Sequence, residues 1–337
     1  MQIEVEKIQI PDGVIFPFAL EWRITEACNM DCAYCSSHRG KLADEKNLPE
    51  TLEGIIRINP KHVWIGGGEP TLVKTLPNLL SRLKEAVDPH IGVNTNMTNP
   101  DMLIKILPYV DDIIVSLDTM NREVSLKYRG TEPELILERI KNLAQTAQEK
   151  KYPVNISVNS VIFRESILKA GLQELNTALE SLDYNISHIL CPLYPATNSQ
   201  SIVSDNQMKE KFHGIVQNIR STGGRVHIDF PEFEECVDIL PVKYLRKYFR
   251  LQIIGSGEFF SPCPPAEDPA SPWCPYPCNA ACFVEDILHD PTPKDIQESP
   301  LKGRLSESEK DKLEEFVKTY ASPLIDDELF EPLVRKK

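Results

Sequence analysis

The chain has 337 residues, of which 41% are hydrophobic and 26% are charged, a balance typical of a folded globular protein. Its formal net charge of -13 disfavours a broad nucleic-acid-binding surface, because such surfaces depend on clustered Lys and Arg. No apolar run is long enough to cross a bilayer, and the first residues lack the basic and apolar regions of an export signal. We therefore expect a cytoplasmic protein with no nucleic-acid partner and no membrane partner.

Between residue 16 and about residue 190, short apolar runs alternate with amphipathic segments, which is the pattern of repeated β-α units around a parallel sheet. Six strands are predicted, at residues 19–25, 63–66, 91–94, 113–117, 154–161 and 186–190. Apolar residues at three-to-four spacing predict helices at residues 49–58, 76–87, 100–107, 133–150, 166–181 and 205–221. This order of elements predicts an α/β fold.

The composition changes beyond about residue 230. Residues 249–261 predict a hairpin, and a Pro- and Cys-rich stretch follows at residues 262–282. Such a stretch usually needs a metal or disulfides to fix its loops, and the cytoplasmic assignment favours the metal. Four regions are therefore predicted: an N-terminal segment (1–15), a core domain (16–230), a cluster-binding extension (231–290) and a polar tail with one helix (291–337).

Three of the nine cysteines, Cys28, Cys32 and Cys35, stand close together just after the first predicted strand. Three thiolates in one loop can bind three irons of a cubane cluster. The fourth iron then stays open to a bidentate ligand. Zinc is the weaker alternative, because a structural zinc site normally has four protein ligands.

The residues from Cys28 to Cys35 read CNMDCAYC and resemble the signature of the radical S-adenosylmethionine (SAM) superfamily. The resemblance covers about residues 16–190 and implies a partial (β/α)6 TIM-like barrel. It also implies a [4Fe–4S] cluster on the three cysteines that cleaves SAM reductively to a 5′-deoxyadenosyl radical, which abstracts a substrate hydrogen. A reducing partner such as flavodoxin or ferredoxin is implied with it.

The same resemblance implies SAM contacts at the strand ends, where α/β sheets place their ligands. Gly67, Gly68 and Glu69 match the superfamily's GGE motif, which contacts the SAM amino group through Glu69 or nearby carbonyls. The other implied contacts are Tyr34 beside the adenine, Asn96, Ser116 and Asp118 at the ribose, Arg129 at the carboxylate, and Asn159. Taken singly, Asn96, Ser116, Asp118, Arg129 and Asn159 could equally have structural or capping roles.

Four further cysteines, Cys263, Cys274, Cys278 and Cys282, lie in the Pro- and Cys-rich stretch. Four thiolates can close a site, so a fully coordinated auxiliary [4Fe–4S] cluster is expected, with structural zinc as the alternative. The segment at residues 257–263 resembles the opening of the SPASM or twitch extensions of radical SAM enzymes, although those extensions usually space their cysteines differently. Cys236 is either an alternative ligand in place of Cys274 or a free thiol.

Cys191 follows the sixth predicted strand; a buried structural cysteine is the favoured interpretation, and donation of a hydrogen atom to a substrate radical is the alternative. The seven histidines show no ligand spacing and are expected to be ordinary surface or core residues.

The resemblance to enzymes with SPASM-like extensions implies a peptide or protein side chain as the substrate. A small metabolite is the alternative, and the absence of a recognisable peptide-recognition domain before Phe16 favours it. A non-enzymatic cluster carrier or zinc-stabilised module would explain the two cysteine groups, but it would leave the GGE motif and the Arg129-Gly130 element unexplained.

Overall fold

A computed structural model describes residues 4–5, 8–9, 19–35, 45–60, 62–169, 171–193, 202, 205–224, 226–228, 250–254 and 258–260. The strands are β1 (Glu4–Val5), β2 (Ile8–Gln9), β3 (Ala19–Thr25), β4 (His62–Gly67), β5 (His90–Thr95), β6 (Asp112–Ser116), β7 (Asn155–Ile162), β8 (Ile186–Pro192), β9 (Val226–Ile228), β10 (Arg250–Ile254) and β11 (Glu258–Phe260). The helices are α1 (Leu48–Ile58), α2 (Leu76–Val87), α3 (Pro100–Ile106), α4 (Arg122–Arg129), α5 (Pro133–Lys150), α6 (Arg164–Leu168), α7 (Gly171–Glu180) and α8 (Asn206–Ser221).

The centre of the molecule is an open parallel sheet in which β3 to β8 lie side by side in chain order. Each strand pairs in parallel with the next, as expected when a helix connects successive strands. The sheet does not close on itself. The predicted α/β class and the six predicted strands are therefore confirmed, as an open parallel sheet.

The hydrophobic core lies between the sheet and its helices. In β3, Leu20, Trp22 and Ile24 are fully buried, whereas the alternate residues Glu21 and Arg23 are only half-buried on the opposite face. This period of two follows from the pleat of a strand. Among the described helices, none has both the length and the apolar composition that a membrane span needs.

Two helical regions differ from the prediction. The helix expected at residues 166–181 is divided into α6 and α7. Gly171, the first residue of α7, lies so close to the loop after β6 that an added Cβ would be 1.9 Å from Thr119 Oγ1. The break therefore lets the start of α7 approach the loop after β6 closely. Helix α4 was not predicted; the Asn121 side chain accepts a hydrogen bond from Val124 N at its start, and Gly130 (φ 72°) ends it.

The predicted hairpin is confirmed as β10 and β11, which pair in an antiparallel manner. Its position in the fold was not predicted: β10 pairs in parallel with β3, so the hairpin extends the central sheet beyond its first strand. At the other edge, β9 pairs with β8. The Pro- and Cys-rich stretch and the predicted helix of the polar tail lie outside the described residues.

Candidate active site

The three cysteines of the first group lie in the loop that follows the carboxyl end of β3. The side chains of Cys28 and Cys32 are half-buried, and that of Cys35 is exposed. A backbone hydrogen bond of 2.8 Å from Ala33 N to Tyr128 O holds the loop against the end of α4. The loop is therefore anchored to the core on one side and open on the other.

The three thiols are close enough to influence one another. Burial raises the pKa of the Cys32 thiol, the Arg129 guanidinium opposes this, and Asp118 and the neighbouring Cys35 and Cys28 add to the increase. In the described part of the chain, no group of three or more His, Cys, Asp or Glu side chains is arranged to hold a single metal ion. In a cubane cluster, by contrast, each thiolate bonds to a different iron. Three thiolates in one loop are therefore a donor set that can serve such a cluster.

The GGE turn after β4 is tied directly to the start of the cysteine loop. Gly68 N donates to Thr25 O at 2.7 Å, and Glu69 N donates to Ala27 O at 2.9 Å. A Cβ added to Gly67, which has a φ of +113°, would lie 2.1 Å from Thr25 O. A Cβ added to Gly68 would lie 2.1 Å from Ala27 O. The two glycines are therefore required for contact between these two backbone segments.

The Glu69 side chain is fully buried and points into the protein. Its Oε1 accepts from Thr71 N (3.1 Å), Thr71 Oγ1 (2.5 Å) and Thr95 Oγ1 (2.8 Å), and its Oε2 accepts from Asn96 N (2.7 Å). Burial raises the pKa of Glu69, and these hydrogen bonds oppose the increase. The carboxylate thus joins the GGE turn to the end of β5, and the backbone carbonyls of the turn remain as the possible acceptors for a ligand ammonium.

Tyr34, Asp118 and Arg129 form a second buried network beneath the cysteine loop. The Tyr34 hydroxyl donates to Asp118 Oδ2, and Arg129 Nη1 donates to the Tyr34 hydroxyl at 3.0 Å. Arg129 Nη1 also lies 3.7 Å from Asp118 Oδ1, which accepts from Val161 N at 2.9 Å. Burial raises the pKa of Asp118, although Arg129 opposes it. Asp118 is 1% exposed, so its present partners occupy it fully.

Two polar atoms near this network have no hydrogen-bond partner among the described residues: Arg129 Nε and Asn159 Oδ1, both buried. Native proteins rarely leave such atoms unpaired, and bound ligands are one reason for exceptions. The first is an N–H donor and the second is an acceptor. Asn159 lies opposite Ser116 in the β6–β7 register, and both side chains are half-buried. These atoms fit a ligand that has both a carboxylate and hydroxyl groups.

Cys191 lies on β8 opposite Val161 of β7 and is half-buried. Cys236, Cys263, Cys274, Cys278 and Cys282 lie outside the described residues, so their ligand roles stay predictions.

A comparison with protein-family models matches residues 22–167 to the radical SAM superfamily. This region holds the cysteine loop, the GGE turn and the Tyr34–Asp118–Arg129 network, and it ends after β7. The family match and the curated relatives indicate that the chain is an enzyme.

Two kinds of curated relative match part of this chain. The mycofactocin maturase MftC of Mycobacterium tuberculosis (strain CDC 1551 / Oshkosh) is 29% identical over 180 residues, which are 50% of this chain and 43% of the relative. A probable GTP 3′,8-cyclase of Pyrococcus abyssi (strain GE5 / Orsay) is 32% identical over 149 residues, which are 42% of this chain and 46% of the relative. The matches therefore span less than half the length of either relative.

Two solved structures share the fold. Streptococcus suis SuiB covers 92% of this chain and 69% of its own, with a TM-score of 0.60 and 15% identity. Native anSMEcpe with bound AdoMet covers 86% of this chain and 83% of its own, with a TM-score of 0.52 and 15% identity. At this level of identity, the likeness establishes the architecture.

The sequence did not indicate a polar cluster at the amino ends of the strands, opposite the cysteine loop. The His90 Nε2 hydrogen-bonds Asp112 Oδ2, Asn155 Nδ2 donates to Asp112 Oδ1 at 3.0 Å, and the rings of His62 and His90 are 5.2 Å apart. Burial lowers the pKa of His90, but the hydrogen bond and charge of Asp112 outweigh it and raise the pKa. The sequence held one indication of this cluster: each of these residues begins its strand and lies at or next to the predicted strand start.

Proposed function

We propose that Cys28, Cys32 and Cys35 bind a [4Fe–4S] cluster and that the chain cleaves SAM reductively at that cluster. When bound, the cluster supplies one electron to SAM, and the resulting 5′-deoxyadenosyl radical removes a hydrogen atom from the substrate. The supporting observation is the joint between the GGE turn and the cysteine loop, in which Gly68 N donates to the last residue of β3 and Glu69 N donates to the start of the loop. This joint brings two superfamily motifs to the carboxyl end of the sheet, where ligands of α/β folds bind.

The protein's own contribution is to orient SAM and to hold the loop that binds the cluster. Arg129 Nε is an unpaired buried donor suited to the SAM carboxylate, and Asn159 Oδ1 is an unpaired buried acceptor suited to a ribose hydroxyl. The backbone carbonyls of the GGE turn are the proposed acceptors for the SAM ammonium. Tyr34 keeps its proposed place beside the adenine, with its ring packed against Phe163 at 5.9 Å between centroids.

Glu69 and Asp118 support this site from within, because their carboxylates are filled by protein donors. In the proposed site, Glu69 fixes the distance between the GGE turn and the end of β5. Asp118 fixes Tyr34 and Arg129 in one geometry. Such supporting contacts are commonly as important as direct ones for holding a ligand in place.

The proposed substrate is a peptide or protein side chain. Support comes from the fold shared with SuiB, which has also been solved bound to the precursor peptide SuiA, with a TM-score of 0.58 and 14% identity. The MftC maturase adds support at 29% identity. A small metabolite is the second candidate, favoured by the probable GTP 3′,8-cyclase at 32% identity.

The proposed second cluster is an auxiliary [4Fe–4S] site on Cys263, Cys274, Cys278 and Cys282. It would exchange the second electron of a substrate oxidation or bind the substrate directly. Cys191, half-buried on β8, is the proposed hydrogen-atom donor if the reaction returns a hydrogen to the substrate.

The test is anaerobic reconstitution with iron and sulfide, followed by iron counting, EPR with and without SAM, and assay of 5′-deoxyadenosine. About eight irons per chain and a SAM-shifted signal are expected for two cubane clusters, and about four for one. Cys32→Ala should abolish 5′-deoxyadenosine formation, because two thiolates cannot hold the cluster. Cys191→Ala removes a described thiol whose proposed role follows SAM cleavage, so it should keep 5′-deoxyadenosine formation and is the control. Retained cleavage in Cys32→Ala would refute the proposal.

A further inference from the structure

The end of β5 contacts the cysteine loop through the Asn96 side chain. Asn96 Nδ2 lies 3.0 Å from Asn29 Oδ1 and 3.7 Å from Cys28 Sγ. The Met30 backbone N–H also donates to Cys28 Sγ, at 3.4 Å. One of the three loop sulfurs is thus approached by two N–H donors from different parts of the chain.

The orientation of the Asn96 amide is fixed by its other partners. Its Oδ1 accepts from Thr98 N at 3.0 Å and from Thr98 Oγ1 at 2.6 Å. A backbone N–H can only donate, so the atom that faces Thr98 must be the oxygen. The NH₂ group therefore faces Cys28 and Asn29. Thr98 Oγ1 in turn accepts from Asn29 Nδ2 at 2.9 Å, which closes the network.

The backbone around Asn96 is also held in a costly conformation. Met97 has a φ of 63°, in the left-handed region that a non-glycine residue rarely adopts, and its side chain is fully buried. Glu69 Oε2 holds Asn96 N, Thr95 Oγ1 holds Met97 N at 3.1 Å, and Arg139 Nη1 holds Met97 O at 3.0 Å. Strained backbone of this kind persists only where the surroundings fix it, and it is frequent at functional sites.

We infer that Asn96 is a positioning residue that donates a hydrogen bond to the Cys28 thiolate and thereby raises the reduction potential of the cluster. This inference rests on the proposed function and gives Asn96 a different role from the ribose contact. A donor to a ligand sulfur stabilises the extra negative charge of the reduced cluster, and hydrogen bonds to sulfur are among the features that set cluster potentials. Asn96 thus makes the cluster easier to reduce by a weak electron donor.

The experiment compares the midpoint potential of the reconstituted protein and its variants in an EPR-monitored reductive titration without SAM. Asn96→Leu removes the donor, and Asn96→Asp replaces it with an acceptor that Thr98 can still hold. Thr98→Val removes the hydroxyl that donates to Asn96 Oδ1 but keeps the Thr98 backbone N–H, so it loosens the amide without changing Asn96. Asn142→Leu on α5, where Asn142 is exposed, is the control for an Asn to Leu change.

At a fixed solution potential, we expect Asn96→Leu to lower the ratio of reduced to oxidised cluster about tenfold. For a one-electron couple this corresponds to a midpoint potential about 59 mV lower. Asn96→Asp should lower it further, Thr98→Val should lower it less, and Asn142→Leu should leave it unchanged. Equal iron content in all variants separates this effect from loss of the cluster.

The two proposals fail in different ways. If the wild-type chain takes up no cluster, the proposed function is overturned and the role of Asn96 with it. If all variants load the cluster and their potentials equal that of the wild type, only the role of Asn96 is overturned. If Asn96→Leu, Asn96→Asp and Thr98→Val all fail to load while Asn142→Leu loads, these residues build the loop, and the tuning role is likewise overturned.

Discussion

Gly68→Ala tests the joint between the GGE turn and the cysteine loop. A Cβ on Gly68 would lie 2.1 Å from Ala27 O, 2.5 Å from Ala27 C and 2.8 Å from Glu26 O, all of which are backbone atoms. Backbone cannot rotate away as a flexible side chain can, so the two segments must separate. Separation breaks the hydrogen bonds from Gly68 N to Thr25 O and from Glu69 N to Ala27 O.

The size of the effect follows from these contacts. Two hydrogen bonds contribute about 0.5–1.5 kcal/mol each, and overpacking costs about 1–3 kcal/mol, so the loss in free energy of unfolding should be roughly 2–6 kcal/mol. The matched control is Gly214→Ala on the exposed side of α8, where an added Cβ meets nothing within 4 Å. Alanine is the better helix former, so this variant should gain about 0.5–1 kcal/mol.

Urea unfolding monitored by circular dichroism would measure the free energy of unfolding of both variants. Iron counting after reconstitution would show whether the cysteine loop still binds iron. Gly68→Ala should lose stability and bind less iron, whereas Gly214→Ala should keep full iron content. A Gly68→Ala protein with wild-type stability and iron content would show that the turn and the loop are not joined as described.

Three further predictions follow. Cys278→Ala should leave 5′-deoxyadenosine formation partly intact while blocking net substrate turnover, measured by product mass spectrometry; equal loss of both would give the second cysteine group a purely structural role. Arg129→Lys removes the unpaired Nε donor, so SAM affinity measured by calorimetry should fall about tenfold or more while iron content stays the same. Asp112→Asn should lower the pKa of His90 in an NMR titration. Because a raised histidine pKa means that the folded state holds its proton more tightly, this variant should cost stability below the ordinary histidine pKa, and the cost should vanish as pH rises through the raised value.

The sequence was sufficient for the strand order and for the cysteine loop. Buried parallel strands are short apolar runs, and each run stands between amphipathic helices, so β3 to β8 could be found from local pattern alone. The cysteine spacing is equally local. Helix α4 was missed because only Val124 and Tyr128 supply its buried apolar face.

The roles of individual polar residues could not be found in this way. The SAM contacts of Glu69 and Asp118 stay predictions from their motifs, but the sequence did not indicate that their carboxylates accept hydrogen bonds from residues on other strands. His90 and Asp112 are 22 residues apart and meet only because neighbouring strands begin side by side. Partners of this kind depend on sheet register, which a single sequence reports poorly.

The pairing of β10 with β3 has a consequence for how the molecule is made. During synthesis, β3 emerges early and exposes an unpaired edge until residues 250–254 follow much later. An exposed strand edge is a template for pairing with other chains. The strand that leads into the cysteine loop is therefore the last of the core to be enclosed, and chains released before β10 would be expected to aggregate through that edge.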